Sequence, residues 1–449
     1  MIDHLVLIFA YHFPPENAVG AARPFRFSKY LSSLGYTCRV FTASEQTGCN
    51  AADVEYVPDP FVDDARHTFG WQLERAIRRT ILPGEKGIQW SYLASRAARA
   101  FIRANPSSAI TIFSTFPPLG THLAAWQLAR SEGLPWIADL RDPFPVGQGN
   151  QGPKSLRERT YRWLERRTAQ RADTVIANTD GAMAEWQRKF PDLKGKFQLI
   201  WNGFDPEDRV GPLPASSGDR KVLSHVGELY GGRVPTPILE SIARLIAAGR
   251  LSPRSVRVRL IGPAEPDVLP DRGFLDRARS EGWLELVTEQ IPRREALQIT
   301  QTSDGLLLLQ PQRTTAVPGK LFEYLQIGRP ILAFIQPNSS IERLIQQSGV
   351  PYRCVYPDNP PSVMDDTVAD FFSFPSSPVP ASPWFEEHFN SKNQTRQLDA
   401  IIRSLHTQHG RSVSPSVARS SCAESAAPTQ NLKIGEQIAK PALDSIEQA

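Results

Sequence analysis

Residues 317–333 read VPGKLFEYLQIGRPILA and predict a turn, a short helix and a buried strand, in that order. The turn is Pro-Gly, the helix ends at Gly328, and Lys320 and Glu323 fall in its first turns. The first turn of a helix leaves backbone N–H groups unpaired and carries partial positive charge, which favours an anionic ligand such as a phosphate. The same spacing also fits a solvated ion pair between Lys320 and Glu323 on an ordinary helix.

The order of residues in this stretch resembles the nucleotide-sugar site of family-4 glycosyltransferases of the GT-B type, where a P-[SG]-K-[LF]-x-E-Y-x-x-x-G-[RK]-P run carries the donor. The resemblance implies that Gly319, Lys320 and Leu321 hold the donor diphosphate and that Glu323 binds the ribose hydroxyls. The chain departs from the family pattern at Thr315, where a second glutamate is expected eight residues before Glu323. The role of that carboxylate would then pass to backbone amides or to another residue.

Length and composition describe an ordinary soluble protein with room for two or three domains. The chain has 449 residues, 41% of them hydrophobic and 22% charged, with a net charge of +4. Its 51 basic and 47 acidic residues are too evenly balanced to favour nucleic-acid binding. The four cysteines form no CxxC pair, which indicates a reducing compartment and no zinc site.

The N-terminal apolar run, Leu5 to Ala10, has no basic residues before it and no cleavage site after it, so it predicts a buried strand and not a signal peptide. No run reaches the length of about 18 apolar residues that a membrane span needs. We therefore expect a cytoplasmic protein, with any membrane contact peripheral and on the inner face.

Short apolar runs alternate with amphipathic helices, which favours parallel α/β construction. Together with the resemblance, this predicts the GT-B fold, in which two Rossmann-like doubly wound domains face a cleft. The expected divisions are an acceptor domain, a linker where Pro, Gly and Ser accumulate, a nucleotide-sugar domain, a helix crossing back to the first domain and a disordered tail, at residues 1–205, 206–220, 221–380, 381–410 and 411–449.

In the first domain, two loops carry candidate site residues. The loop after the first strand contains FPP and Gly20 but lacks a GxGxxG motif, so a dehydrogenase is disfavoured; the resemblance places Gly20 near the donor phosphates and the acceptor. The strand Trp136–Leu140 supplies Asp139 and leads into Arg141 and Asp142. Polar residues at the carboxyl end of a parallel strand border the ligand crevice, so these three are candidate catalytic residues. They also match the D-x-R-D-P-[WF] pattern found in a subset of the family.

In the second domain, the glycine-rich loop from Gly227 to Arg233 follows a predicted strand. A flexible loop with an arginine at a helix start can clamp a diphosphate. The resemblance implies that Arg233 does so together with Lys320. A surface arginine is the alternative.

Residues 60–105 interleave aromatic and aliphatic residues with arginines in amphipathic helical segments. Such a surface could rest on anionic lipid headgroups and meet a lipid-linked acceptor. It could equally be a helix packed on the sheet with its arginines in solvent. His122, in the first turn of another predicted helix, is expected to be buried or to cap the helix.

The resemblance extends over residues 1–405 and implies retaining transfer of a sugar from a UDP- or GDP-sugar to a hydroxyl of a saccharide or lipid-linked saccharide, in polysaccharide or glycoconjugate synthesis. Arg233, Lys320 and the amides near Gly319 would stabilise the leaving group without a metal cofactor. A nucleotide-sugar epimerase that uses Asp139 and Asp142 as acid and base is one alternative. A non-catalytic scaffold that kept the fold is the other.

Overall fold

A computed structural model of the chain describes residues 4–16, 20–45, 53–63, 69–82, 85–106, 109–144, 155–207, 210–214 and 220–412. Apart from its first two residues, which belong to the last helix, the predicted disordered tail at 411–449 lies outside the described residues.

The first domain is a parallel sheet of seven strands in the order β3-β2-β1-β4-β5-β6-β7, with helices between the strands. Its elements are β1 (His4–Phe9), α1 (Ala22–Ser33), β2 (Thr37–Thr42), β3 (Val54–Tyr56), α2 (Pro60–Asp63), α3 (Phe69–Thr80), α4 (Ile88–Ala104), β4 (Ala109–Phe116), α5 (Leu119–Glu132), β5 (Trp136–Leu140), α6 (Leu156–Arg171), β6 (Thr174–Ala177), α7 (Asp180–Lys189), a 3-10 segment (Pro191–Lys196) and β7 (Phe197–Leu199).

The second domain repeats this construction with six parallel strands in the order β10-β9-β8-β11-β12-β13. Its elements are β8 (Lys221–Val226), α8 (Thr236–Ala247), β9 (Val256–Ile261), a 3-10 segment (Pro266–Val268), α9 (Arg272–Ser280), β10 (Leu284–Val287), α10 (Arg293–Thr302), β11 (Gly305–Gln310), α11 (Lys320–Ile327), β12 (Ile331–Ile335), α12 (Ser340–Ser348), β13 (Tyr352–Val355) and α13 (Pro361–Ser373).

The central strands are apolar and wholly buried because helices cover both faces of each sheet. Every residue of β4, β5, β11 and β12 is buried, which explains why these segments read as continuous apolar runs and not as alternating ones. In each sheet the strand order reverses at one place, between β1 and β4 and between β8 and β11. Ligands of open parallel sheets bind beyond the carboxyl ends of the strands at such a reversal.

The predicted architecture is confirmed, and β5 has the predicted residues. The accumulation of proline between Pro357 and Pro383 predicts an irregular connection, and this prediction is wrong because α13 lies within that stretch. Its prolines stand at the helix start and beyond its end, where they do not break helical hydrogen bonds. Met364, Val368 and Phe371 recur at helical spacing and pack into the core of the second domain.

The crossing helix is present but broken into α14 (Pro383–Phe389) and α15 (Ser391–Ser412). The break arises because the backbone on both sides of Asn390 bonds to Phe204 near the end of the first domain. The Phe204 N–H donates to the Phe389 carbonyl at 2.9 Å, and the Ser391 N–H donates to the Phe204 carbonyl at 3.0 Å. Beyond the break, Leu398, Ile402 and Leu405 of α15 join the core that lies beneath α1.

The two domains also touch across the cleft, at the N-terminus of α7. The Thr179 hydroxyl donates to the Thr315 carbonyl at 2.6 Å. Asp180 accepts from the Ser340 hydroxyl at 2.6 Å and forms an ion pair with Arg343 at 2.8 Å. Thr315, the position where the family pattern has a glutamate, therefore lies in an interdomain contact.

Candidate active site

Lys320 lies at the first position of α11, and its side chain reaches back to the carboxyl end of β8. Its ammonium group is 3.2 Å from His225 Nε2 and 3.2 Å from the Val226 carbonyl oxygen. Burial, and then the positive charge of Arg233, lower the pKa of Lys320 to about 7, while Glu323 opposes the shift. An anion that binds beside Lys320 would stabilise the charged form of its ammonium group.

His225 is the buried partner that orients Lys320. Its Nδ1 lies 3.0 Å from the Leu307 carbonyl, so Nδ1 carries the proton and Nε2 accepts from the lysine. Burial, and then the charge of Lys320, keep the pKa of His225 well below its usual range. A neutral histidine therefore fixes the lysine without competing for an anion.

Gly227, just beyond β8, allows this approach. Its φ of +133° is a conformation that other residues rarely adopt, and a Cβ there would lie 2.7 Å from the Lys320 ammonium nitrogen. On the other side, Gly319 caps α11, and a Cβ at that position would meet nothing within 4 Å. The space beside Gly319 is therefore open to a ligand, whereas the N–H of Leu321, one of the predicted phosphate contacts, already donates to the Pro318 carbonyl at 3.1 Å.

Arg233 and Glu323 complete this group. Arg233 donates from Nε to Gln310 Oε1 at 3.1 Å and stacks over the ring of Tyr230, with 4.4 Å between guanidinium carbon and ring centre. Glu323 is half-buried and accepts from Arg293 at 2.7 Å through one oxygen. The charge of Arg233 lowers the pKa of Lys320, so the two cations belong to one group, and their joint action on a diphosphate stays a prediction.

A cavity of about 270 Å³ lies beside this group, beyond the carboxyl ends of β8 and β9. Its wall combines glycine backbone, apolar side chains, one amide residue and one carboxylate residue. The lining residues are Val226, Gly227, Glu228, Ile261, Gly262, Pro263, Gln290, Ile291 and Ala296. The segment that carries Gln290 and Ile291 also leads to Arg293, the partner of Glu323. The arrangement therefore combines a cavity large enough for a small ligand with the carboxylate of Glu323 and the cations of Lys320 and Arg233.

In the first domain, Asp139 is fully buried in a network under α1. Arg23 donates to both of its carboxylate oxygens at 2.8–3.1 Å, and the Thr115 hydroxyl donates to it at 2.8 Å. Arg23 also donates to the Ile200 and Trp201 carbonyls, at 2.8 and 2.6 Å. Asp139 thus ties β5 to α1, and its carboxylate has no surface that a substrate could touch in this conformation.

Arg141 and Gly20 are brought together, whereas Asp142 points to solvent. A Cβ at Gly20 would lie 2.4 Å from Arg141 Nη1, so the first loop passes directly over the guanidinium group. Arg141 donates to the Pro117 carbonyl, while its buried Nε has no hydrogen-bond partner. His122 is buried as expected: its Nδ1 is 2.8 Å from the Ser114 hydroxyl oxygen, and burial lowers its pKa to about 3.

The predicted residues therefore form two groups. One contains Gly227, Arg233, Gly319, Lys320, Leu321 and Glu323 in the second domain, and the other contains Gly20, Asp139, Arg141 and Asp142 in the first. Sequence reasoning missed His225, Arg23 and Arg293. A histidine inside an apolar strand was the available signal for His225, whereas Arg293 carries no local signal.

Comparison with known proteins agrees with this architecture. Residues 24–208 match the model of Glycosyltransferase Family 4. No curated protein sequence is significantly similar to the chain. Similar structures include HepE from Anabaena in complex with UDP-glucose (TM-score 0.54, 11% identity, 89% of this chain and 99% of HepE covered). They also include α,α-trehalose 6-phosphate synthase from Burkholderia multivorans (TM-score 0.59, 13% identity, 93% and 100% covered).

The catalytic domain of starch synthase IV from Arabidopsis thaliana, bound to ADP and acarbose, is similar as well (TM-score 0.57, 12% identity, 92% and 100% covered). At these identities the likeness concerns the fold alone, and the match to the family model covers only the first domain. Together they confirm the predicted GT-B architecture. The chain therefore has the two-domain GT-B fold, and the part of it that matches the Glycosyltransferase Family 4 model is the first domain.

Proposed function

We propose that the chain transfers a sugar, with retention of configuration, from a UDP- or GDP-sugar to a hydroxyl of a saccharide or lipid-linked saccharide in polysaccharide or glycoconjugate synthesis. The observation that carries the proposal is the position of Lys320, whose ammonium group lies between the open N-terminus of α11 and the cavity beyond β8. In this proposal the base occupies the cavity, Glu323 binds the ribose, and the diphosphate lies on Lys320, Arg233 and the first amides of α11.

The same residues would act on the chemical step. As the bond between sugar and phosphate breaks, negative charge collects on the leaving diphosphate. Lys320 is held by His225 and Arg233 by Gln310 before the ligand arrives, so the cations need little rearrangement to meet that charge. We propose that they suffice without a metal ion, and turnover in the presence of a chelator tests this part.

The surroundings of Asp139 distinguish the proposal from the epimerase alternative. That alternative needs Asp139 and Asp142 as an acid and base pair, but both oxygens of Asp139 are bonded to Arg23 or Thr115 and shielded from solvent. The structure of HepE with UDP-glucose and that of starch synthase IV with ADP concern proteins of the same fold, and they suggest the nucleotides to try first.

A thermal-shift screen of the full chain against UDP, GDP and ADP, each with and without its sugar, tests the donor site. One nucleotide is expected to stabilise the protein selectively, by roughly 2.7 kcal/mol at a hundred times its dissociation constant. The Arg233→Gln variant should lose most of that shift, whereas Arg272→Gln, on an almost fully exposed arginine of the same domain, should keep it. Equal shifts with all nucleotides, or none, would count against the proposal.

We also propose that α3 rests on an anionic membrane surface near the acceptor. Phe69 is 81% and Leu73 52% exposed on this helix, beside the exposed Arg75. Glu74, the helix's one acidic residue, is turned inward, where it accepts from the backbone N–H of Gln89 at 3.0 Å. The exposed side of α3 thus offers apolar and positive groups without a described negative one. No helix in the described ranges is long and apolar enough to cross a membrane.

Sedimentation with lipid vesicles checks this placement. The chain should pellet with phosphatidylglycerol vesicles and remain in solution with phosphatidylcholine vesicles, because the attraction is partly electrostatic. Replacing Phe69 and Leu73 together with serine should reduce binding severalfold, while Val363→Ser, at an exposed position on α13, serves as the control. Equal binding by the double variant and the parent would show that α3 is not the contact.

A further inference from the structure

Three basic side chains of the first domain converge at the carboxyl ends of β1 and β4, apart from the donor group. Arg141 follows β5 and is held over the end of β4 by its bond to the Pro117 carbonyl. Lys86 precedes α4, and its carbonyl accepts from the Gly120 N–H at 3.3 Å, in the first turn of α5. His12 lies in the loop after β1. All three flank the crevice that the strand reversal opens in this sheet.

The ring of Tyr11 links the segment after Lys86 to the loop that carries His12, and its centre lies 5.1 Å from that of the His12 ring. A Cβ at Gly87 would lie 3.0 Å from the ring of Tyr11, so the segment after Lys86 rests on the residue before His12. Burial lowers the pKa of His12, and the charges of Lys86 and Arg141 lower it further, while Glu16 opposes the shift. Both cations are therefore close enough to act on the imidazole.

Within the described ranges, the acidic groups nearby form no ion pair with Lys86 or Arg141. Asp139 is committed to Arg23 and Thr115, as described above. Glu85 accepts from the Leu119 N–H and the Tyr161 hydroxyl, both at 3.0 Å. Glu16 accepts from His12 at 2.8 Å and from the Ser44 hydroxyl.

Asp142, the remaining acid beside this group, is exposed and forms no ion pair with Arg141 among the described residues. One N–H of Arg141, at Nε, is buried without a hydrogen-bond acceptor. A bound oxyanion would satisfy both the unused donor of the buried Arg141 guanidinium and the Lys86 ammonium group, which has no ion-pair partner among the described residues.

We propose that Arg141 and Lys86, with His12 at the edge, form a subsite for a phosphate group of the acceptor. The inference rests on the proposed transferase function, since it names the acceptor as a phosphorylated saccharide or saccharide lipid. The subsite belongs to the first domain and is built from three different loops, so it is separate from the diphosphate group around Lys320.

Binding measurements on the full chain, with inorganic phosphate and glucose 6-phosphate as probes, test the subsite. In the presence of saturating UDP, both probes should bind and add a further thermal shift, whereas glucose and sodium chloride at matched ionic strength should not. Arg141→Gln and Lys86→Gln should each weaken phosphate binding by about tenfold or more, because each removes a charged donor. Both variants should retain the shift with UDP. Lys320→Gln should show the converse pattern, losing UDP and keeping phosphate.

Several outcomes would overturn the subsite: competition between phosphate and UDP, loss of phosphate binding in Lys320→Gln alone, or undiminished phosphate binding in Arg141→Gln and Lys86→Gln. Lys86 is exposed, so its variant gives an answer even if Arg141→Gln does not fold. Phosphate binding that depends on Lys86 in a chain that binds no nucleotide would support the subsite and overturn the proposed transferase. Nucleotide binding without phosphate binding would support the proposed transferase and overturn the subsite.

Discussion

Replacing Lys320 with glutamine is expected to weaken binding of the donor nucleotide by roughly 100-fold, because a diphosphate would lose its buried charged partner. The catalytic efficiency, kcat/KM, should fall by about 10²- to 10³-fold, since the same ammonium group would meet the charge that develops on the leaving group. Isothermal titration with the nucleotide and steady-state kinetics measure the two effects. Lys194→Gln, at an exposed position in the first domain, is the matched control and should change neither quantity.

The pH dependence of binding gives this prediction a signature that a structural defect would not produce. Burial and the charge of Arg233 lower the pKa of Lys320 to about 7 in the free protein, and a bound diphosphate would raise it again. Binding then takes up a proton above pH 7. The affinity for the nucleotide should be highest below pH 7. Above pH 7 it should fall by up to about tenfold per pH unit, until the pH passes the pKa of Lys320 in the complex.

Lys320→Arg provides the test of that cause. An arginine keeps its charge throughout this range, so the variant should bind with an affinity that does not change between pH 7 and 9. The terminal phosphate of the nucleotide, with a pKa of about 6, stays ionised there and adds no slope of its own. A flat profile for the parent chain, or an equally steep one for Lys320→Arg, would contradict the assignment of the titration to Lys320.

The sequence was sufficient for the layers of the fold and for the helix start that carries Gly319, Lys320 and Glu323, because both depend on signals between neighbouring residues. Apolar runs mark the buried strands, and the spacing of Gly319, Lys320 and Glu323 marks a helix start with its charges. The residues that hold these groups in place come from far along the chain. His225 is 95 positions from Lys320, and Arg293 is 30 from Glu323. Such pairs have no local pattern, so they become visible only when the strands are assembled.

Asp139 was predicted to border the ligand crevice but lies buried under α1. The prediction took it as a residue at the crevice because it stands near the end of a strand. Side chains alternate along a strand, however, so Asp139 shares a face with Ile137, and Ile137 packs with Phe27 of α1. The alternation therefore already favoured a place under α1 over one at the crevice. What the sequence did not reveal was the partner, since Arg23 lies 116 positions away.

That buried pair carries the largest expected effect on stability. Arg23→Met should lower the free energy of unfolding of the first domain by about 3–5 kcal/mol, because it leaves the carboxylate of Asp139 buried without its counter-charge. The same change removes the donors to the Ile200 and Trp201 carbonyls, next to the segment that leads into the linker. Loss of the pair should therefore also loosen the junction between the domains.

Urea unfolding of the full chain, followed by tryptophan fluorescence, measures this loss. Arg99→Met is the matched control, because Arg99 pairs with Glu132 in the same domain with both side chains about one-third exposed. That variant should lower the free energy of unfolding by no more than about 1 kcal/mol, as is usual when an ion pair at a surface is removed. A second variant that replaces Arg23 with Met and Asp139 with Leu should be more stable than Arg23→Met, since no unpaired charge remains buried. If Arg23→Met lost no more stability than Arg99→Met, the network around Asp139 would not be what ties β5 to α1.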